Sequence, residues 1–460
     1  MVVPTAGLAD VSLREVWTSM AVVSEAQEFR RVPKVGEGFA RALRIVHDAL
    51  LGPSGGAGRP VPSAGAIFPY DVLVLTDEPG SAPGLFRVDA VRRACVRLLL
   101  PAPALRAVVQ AMPRAAGVTR DVWAILLSRP WLSVRKYGPR GYLYAQLDTG
   151  HAATSLLGGA LATGPAELHL KLARRQIQKA LWGLLPFREP HSVLAIGPAP
   201  VEAGPDPLPV VEPLHAVRTD SHGDLERFGW AMLPDGLATG ADTRGTSAAA
   251  PTSVVPGAEP GIPAGDWLRW TRARRSCNQF RARPVAGSAL SDALGALGTR
   301  LVTDLDDAPS ELRLTLVVTT DEVAAACRAA WRGTGVDVVV SAPADDPDHI
   351  RRLCMGQRHL GGAKAFLVCH VDGRTTLGLG STQVFREALF RAAAAAHLVY
   401  LGAARAGVAV TSVGGYDIDG WRLLAGLGPD DEPVYLMALG EDGAGRIKQD
   451  RAAIAYAHGE

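Results

Sequence analysis

Four short stretches of this chain hold the residue types from which a chemical site is built, and they are divided between its halves. In the second half, RRSCNQF (Arg274 to Phe280) sets two guanidinium groups and a hydroxyl side by side. Arginine offers a planar, permanently charged fork for phosphate oxygens and Ser276 adds a hydroxyl donor, so this segment suits a phosphomonoester. VTSVGGYD (Val410 to Asp417) contains Gly414 and Gly415, whose missing Cβ atoms let backbone amides approach a flat ring closely. In the first half, RPVPSAGAIFP (Arg59 to Pro69) places Gly65 after Ser63 and Ala64, and KYGPRGYLY (Lys136 to Tyr144) opens on an adjacent amine and phenol, Lys136 and Tyr137. An amine whose pKa is lowered by burial or by a nearby cation acts as a base near neutral pH, and Arg135 and Arg140 are close to it in sequence. Neither half holds a complete set, so a working site requires the halves to close on one another.

Each stretch also has a plainer reading. Ser276 can cap a helix with its arginines solvated, the glycine pair can be a turn, PSAG can be a turn entering a strand, and Lys136–Tyr137 can be a solvated loop. Their order and combination, rather than any one of them, point to a site. His151 reads as a packed or capping histidine. His349, His359, His370 and His397 show no HExxH or comparable spacing, so no metal site is expected.

The elements that must position these residues are mixed. DVLVLTD, VWAILLSRPW, LRLTLVVTTD and AKAFLVCHVD are short aliphatic and β-branched runs bounded by turn formers, which predicts strands. LDTGHAATSLLGGALATG (Leu147 to Gly164) and FRAAAAAHLVYLGAARAG (Phe390 to Gly407) align without a gap at an offset of 243, each predicting a buried helix ended by a left-handed glycine. HSVLAIGPAP (His191 to Pro200) and EPVYLMALGED (Glu432 to Asp442) follow them as apolar runs ending in glycine. Two coarse copies argue for a pseudo-dimer and against a solenoid. At this offset Lys136 and Tyr137 fall opposite Leu379 and Gly380. The first half has no GGY pair and no convincing Arg-x-Ser in FRRVPKV (Phe29 to Val35), and the second has no PSAG, so one site per chain is expected.

A chain of 460 residues suits two domains, read as residues 1–200 and 266–460 around a Pro/Gly/Ala-rich linker at 201–265. With 48 Lys plus Arg against 46 Asp plus Glu, the net charge gives no reason to expect nucleic acid or membrane as a partner. Five cysteines without a CxxC pair suggest reduced thiols. The opening residues lack a basic segment followed by a long apolar one, and the alanine-rich run near Ala392 is bounded by Arg391 and Arg405, so a soluble cytoplasmic protein is the expectation.

Taken together, PSAGAIFP, GLFRVDA (Gly84 to Ala90), KYGPRGYLYAQLDTGH, RRSCNQFRARPV, VGGYD and PVYLMALG resemble the SagB-type azoline dehydrogenase branch of the nitroreductase-like FMN flavoproteins, here as a fused tandem. The resemblance implies an α+β fold: two nitroreductase-like domains, each a mostly antiparallel central sheet flanked by helices, packed as an intramolecular pseudo-dimer with FMN at the interface. It implies FMN contacts from Arg274, Arg275, Ser276, Asn278, Gly414, Gly415 and Arg446 or Lys448 in the second domain, and from Ser63, Ala64 and Gly65 in the first. Asn278 stands where the family usually has a basic residue. Lys136 and Tyr137 match an adjacent pair implicated in proton removal. The implied activity is oxidation of peptide thiazolines or oxazolines to thiazoles or oxazoles in natural-product biosynthesis. The implied partners are an azoline-containing peptide and a cyclodehydratase, with further homo-oligomerisation left open. Two alternatives stand beside it: an NAD(P)H-dependent nitroreductase-like reductase of small molecules, and a flavin-free scaffold partner of a cyclodehydratase.

Overall fold

The four apolar runs form strands where the sequence places them, at Tyr70–Thr76, Val122–Ser128, Leu312–Val318 and Ala365–Asp372. The computed structural model describes residues 29–32, 36–52, 59–79, 82–113, 121–199, 208–213, 249–254, 261–305, 312–331, 336–378 and 381–443. Val122–Ser128 shows why such runs become central strands: every residue in it is buried, and alternate side chains enter different cores. Val122, Ala124 and Leu126 join the core that contains the long helices, whereas Trp123, Ile125 and Leu127 pack with Val108, Ile177 and Leu181 on the opposite face.

Two sheets result. The larger runs in the order Phe29–Arg31, Val210–Pro213, Ala94–Arg97, Gly84–Asp89, Tyr70–Thr76, Val122–Ser128, Glu189–Ile196, Ala166–His169, Arg300–Thr303, Ala250–Ser253. The smaller runs Phe280–Arg281, Asp431–Asp442, Ala365–Asp372, Leu312–Val318, Val336–Val340, with Ala409–Val413 also paired to Asp431–Asp442. Most pairs are antiparallel, and helices flank both sheets, which makes the fold α+β.

The internal repeat is written into the strand register. Val122 pairs with Ile196, and the register slips between Leu126 and Leu127. Ala365 pairs with Leu439, and the register slips between Cys369 and His370. All four residues of the second set lie 243 positions after their counterparts, the same offset that aligns the long helices. A β-bulge re-aims the strand beyond it, so its recurrence at equivalent positions marks a shared design.

The long helices are Gly141–Leu161 and Thr382–Ala406, and they pack on each other. Gly407 ends the second in the left-handed region at φ 69°. Gly164 lies three residues past the end of the first, at φ 150°, so it serves the turn after the helix rather than the expected left-handed cap. A buried polar cluster also fastens the halves: Arg386 of the second helix donates to Glu189 at 2.6 Å, Tyr142 reaches the same carboxylate at 3.1 Å and Gln146 at 3.0 Å.

The stretch expected to be a linker contributes to the sheet. Val210–Pro213 and Ala250–Ser253 are strands, because Val210 and Val211 pair with Cys95 and Val96 on one side, and Ala250–Ser253 closes the opposite edge against Arg300–Thr303. Pro251 is tolerated there because an edge strand has one side with no ladder to supply. Arg300–Thr303, from the second half of the sequence, pairs through Thr303 with Leu168 of the first. Among the described residues all five cysteines are buried and unpaired, no group of three or more His, Cys, Asp or Glu is placed to hold a metal ion, and no helix is long and apolar enough to cross a membrane.

Candidate functional site

The connection from Arg274 to Asn278 runs between the helix Trp267–Ala273 and the strand Phe280–Arg281, so Ser276 caps no helix. Arg274 is 5 % exposed, and its fork is turned toward the first half. Nε donates to the carbonyl of Pro60 at 2.8 Å, Nη2 to that of Arg59 at 3.1 Å, and Nη1 to Ser276 Oγ at 3.1 Å. The first arginine of the pair thus clasps the segment that leads into PSAG. Arg275 is exposed; its Nη1 donates to the carbonyls of Arg272 and Arg274, and no carboxylate among the described residues pairs with it. Asn278 is half-buried in the same connection, and Arg446 and Lys448 lie outside the described residues.

From Ser276 a hydrogen-bonded line runs into the core. Ser276 Oγ is 3.3 Å from Tyr400 Oη, which accepts from the Ser412 amide at 2.8 Å. Tyr435 Oη donates to Ser412 Oγ at 2.9 Å and lies 2.8 Å from His151 Nε2. With its proton committed to Ser412, that phenol accepts from His151, which makes Nε2 the protonated nitrogen of a neutral imidazole. Burial holds the His151 pKa well below the usual value, with His397 and Arg274 adding to the effect. His151 is therefore a packed histidine that ties the first half's long helix to the second half's sheet.

The PSAG turn is held by a residue that sequence reasoning did not single out. Asp148, on the helix Gly141–Leu161, accepts from Ser63 Oγ at 2.6 Å and from the Ala64 amide at 3.0 Å. Ser63 Oγ in turn accepts from the Phe68 amide at 2.8 Å. Burial raises the Asp148 carboxyl to about 7, against the hydrogen bonds from Ser63 and Ala64 that favour its charge. Helical spacing held a usable sign of this: Tyr144, Asp148 and His151 share one helix face. A lone carboxylate in a run of small buried residues needs a partner.

Gly65 stands at φ 63°, and a Cβ there would collide with both Lys136 Nζ and Tyr137 Oη. Lys136 is exposed and Tyr137 half-buried, at the end of the helix Pro130–Tyr137. The Tyr137 ring meets Tyr144 edge-on at 4.9 Å, and Tyr144 Oη donates to the carbonyl of Gly414. Arg140 lies over Tyr416 at 4.4 Å and donates to its carbonyl at 3.4 Å. The first half's Lys-Tyr segment and the second half's VGGY segment are therefore in contact, with two phenol rings spanning from Gly65 to Gly414. Gly415 is bordered by Met355 and by Gln357, whose Nε2 donates to the Gly415 carbonyl at 2.8 Å.

Residues 271–441 match the nitroreductase family model. This match lies within the second half of the chain. The structure of a candidate nitroreductase from Anabaena variabilis ATCC 29413 is 17 % identical, with a TM-score of 0.58 over 91 % of this chain and 92 % of that one, so the nitroreductase-like fold extends across both halves. A chain of the E. coli microcin synthetase McbBCD complex with truncated pro-MccB17 bound is 14 % identical, with a TM-score of 0.32 over 44 % of this chain and 79 % of that one. B. megaterium NfrA1 is 14 % identical, with a TM-score of 0.30 over 42 % and 73 %. No curated protein matches the chain.

For a nitroreductase-like fold the group to test against this site is a flavin mononucleotide, and the residues fit it in kind. A Cβ on Gly414 or Gly415 would find its nearest neighbours at 3.6 and 3.4 Å, so each glycine presents bare backbone to a half-open face. Arg275 is exposed and Ser276 half-buried in one connection, and a guanidinium with a hydroxyl is the kind of donor set a phosphomonoester requires.

Proposed function

We propose that this chain is an FMN-dependent oxidoreductase, and within that class a dehydrogenase that converts thiazoline or oxazoline rings of a peptide to thiazoles or oxazoles. The observation that carries this reading is the meeting of Gly65 with Lys136 and Tyr137 beside the other half's Gly414. A ring-facing turn and an amine-phenol pair share one point. Arg275 and Ser276 would hold the FMN phosphate, and Ser63–Gly65 and Gly414–Gly415 would border its ring.

Aromatising the azoline breaks two C–H bonds, one leaving as a hydride and one as a proton. When bound, FMN supplies the hydride acceptor. Lys136 takes the proton, and Tyr137, with its ring 5.1 Å from Nζ, orients the amine. Dioxygen is the terminal electron acceptor, and aromaticity of the product drives the reaction.

The test is the flavin-to-protein ratio of the pure chain, followed by anaerobic mixing with an azoline-containing peptide and, separately, with NADH. Bleaching by the peptide supports the proposal. Bleaching by NADH alone supports the second reading, a nitroreductase-like reductase of small molecules, which the family match at residues 271–441 favours. A colourless chain that takes up no added FMN yet binds a cyclodehydratase returns the scaffold reading.

A further inference from the structure

We propose that Asp148 is a positioning residue: its carboxylate holds both ends of the Ser63–Phe68 turn to the long helix and thereby sets where Gly65 stands. The side chain is 3 % exposed. It takes the Ser63 hydroxyl at 2.6 Å and the Ala64 amide at 3.0 and 3.2 Å through its two oxygens. The Phe68 amide, donating to Ser63 Oγ at 2.8 Å, joins the far end of the turn to the same carboxylate.

The turn needs holding. Gly65, Ala66 and Phe68 have φ of 63°, 55° and 50°, and for the two non-glycine residues this is unfavourable backbone that persists only where the surroundings over-determine it. Among the described residues no cation offsets the buried carboxylate. The ionisable groups that interact with it are the phenols of Tyr144, on its own helix, and Tyr435, on the strand Asp431–Asp442, and the turn offers only the Ser63 hydroxyl and backbone. A carboxylate kept in so costly a place is better explained by the site it shapes than by the stability of the fold.

This inference rests on the proposed function only in giving Gly65 a cofactor to face, so its test begins without one. Hydrogen exchange is measured on the full chain and on Asp148→Ala, Asp148→Asn and Ser63→Ala. At pH 8, where the carboxyl is ionised, the Ala64 and Phe68 amides should lose about tenfold in protection in Asp148→Ala, the equivalent of one hydrogen bond to a charged group. Asp148→Asn, which keeps an acceptor for Ala64, should recover that amide in part, and Ser63→Ala should release Phe68 alone. The helix Gly141–Leu161 should exchange as before. Added FMN should then bind about tenfold more weakly to Asp148→Ala. Unchanged exchange at Ala64 and Phe68 overturns the proposal, as does a loosened turn with unaltered FMN affinity. Failure of the unmodified chain to bind FMN counts against the proposed function, and the exchange data still decide whether Asp148 holds the turn.

Discussion

Gly150 and Ala393 meet where the two long helices cross, and they are the same position in the two copies, 243 residues apart. A Cβ on Gly150 would lie 2.6 Å from the Ala393 Cβ. In a two-fold arrangement only residues at the axis touch their own equivalents, so the axis relating the halves passes through this crossing. The candidate site between Gly65 and Gly414 is built from unlike residues.

Substitution at the axis should loosen the pairing of the halves. Gly150→Val is expected to destabilise the chain by about 1–3 kcal/mol through overpacking, and Ala393→Gly in the same chain should restore part of the loss. Equilibrium urea unfolding of the single and double variants measures the coupling.

Glu189 and Arg386 are 3 % and 4 % exposed and join the halves through the cluster with Tyr142 and Gln146. Arg386→Met leaves the carboxylate buried without its cation and should cost about 3–5 kcal/mol of stability. The same unfolding experiment checks it, and a loss below 1 kcal/mol would mean that water reaches the pair.

Asp148 makes stability depend on pH with a definite sign. Its carboxyl is raised from 3.8 to about 7 by burial, so between those values the folded chain holds a proton that the unfolded chain releases. Its contribution to stability is therefore present below pH 4 and is lost as pH rises through 7, by about 4 kcal/mol for a shift of this size. Asp148→Asn removes that slope. The gap in unfolding free energy between the variant and the unmodified chain should move in the variant's favour from pH 4 to pH 8.

Two substitutions separate holding the cofactor from handling the proton. Arg275→Ala should lower FMN occupancy, read from the flavin-to-protein ratio. Lys136→Ala should leave a yellow protein that no longer oxidises an azoline peptide, with a rate loss of about 100-fold or more. Equal loss of occupancy in both would place Lys136 among the binding groups.

Tyr144→Phe removes the hydroxyl that donates to the Gly414 carbonyl. The expected cost in stability is about 1 kcal/mol, with faster exchange confined to the Gly414–Tyr416 segment. Exchange that spreads through the long helix would show that the contact braces the whole interface.

By itself the amino-acid order determined the core strands, the long helices, the two-fold repeat and the residue types at the candidate site. Those features are local: alternation, helical spacing and small-residue runs record which side of a segment leaves water. It also divided the site between the halves, because PSAG and Lys136–Tyr137 occur in one and RRS and GGY in the other. Only the tertiary structure decided which groups meet. Arg274 and Arg275 are equivalent by type, yet one is buried against the carbonyls of Arg59 and Pro60 and the other stays exposed. Asp148, 85 positions from Ser63, became the anchor of the turn, and strands from the Pro/Gly-rich stretch entered the sheet. Such pairings depend on where a distant segment leaves a donor, an acceptor or an open sheet edge, and spacing along the chain carries no record of that.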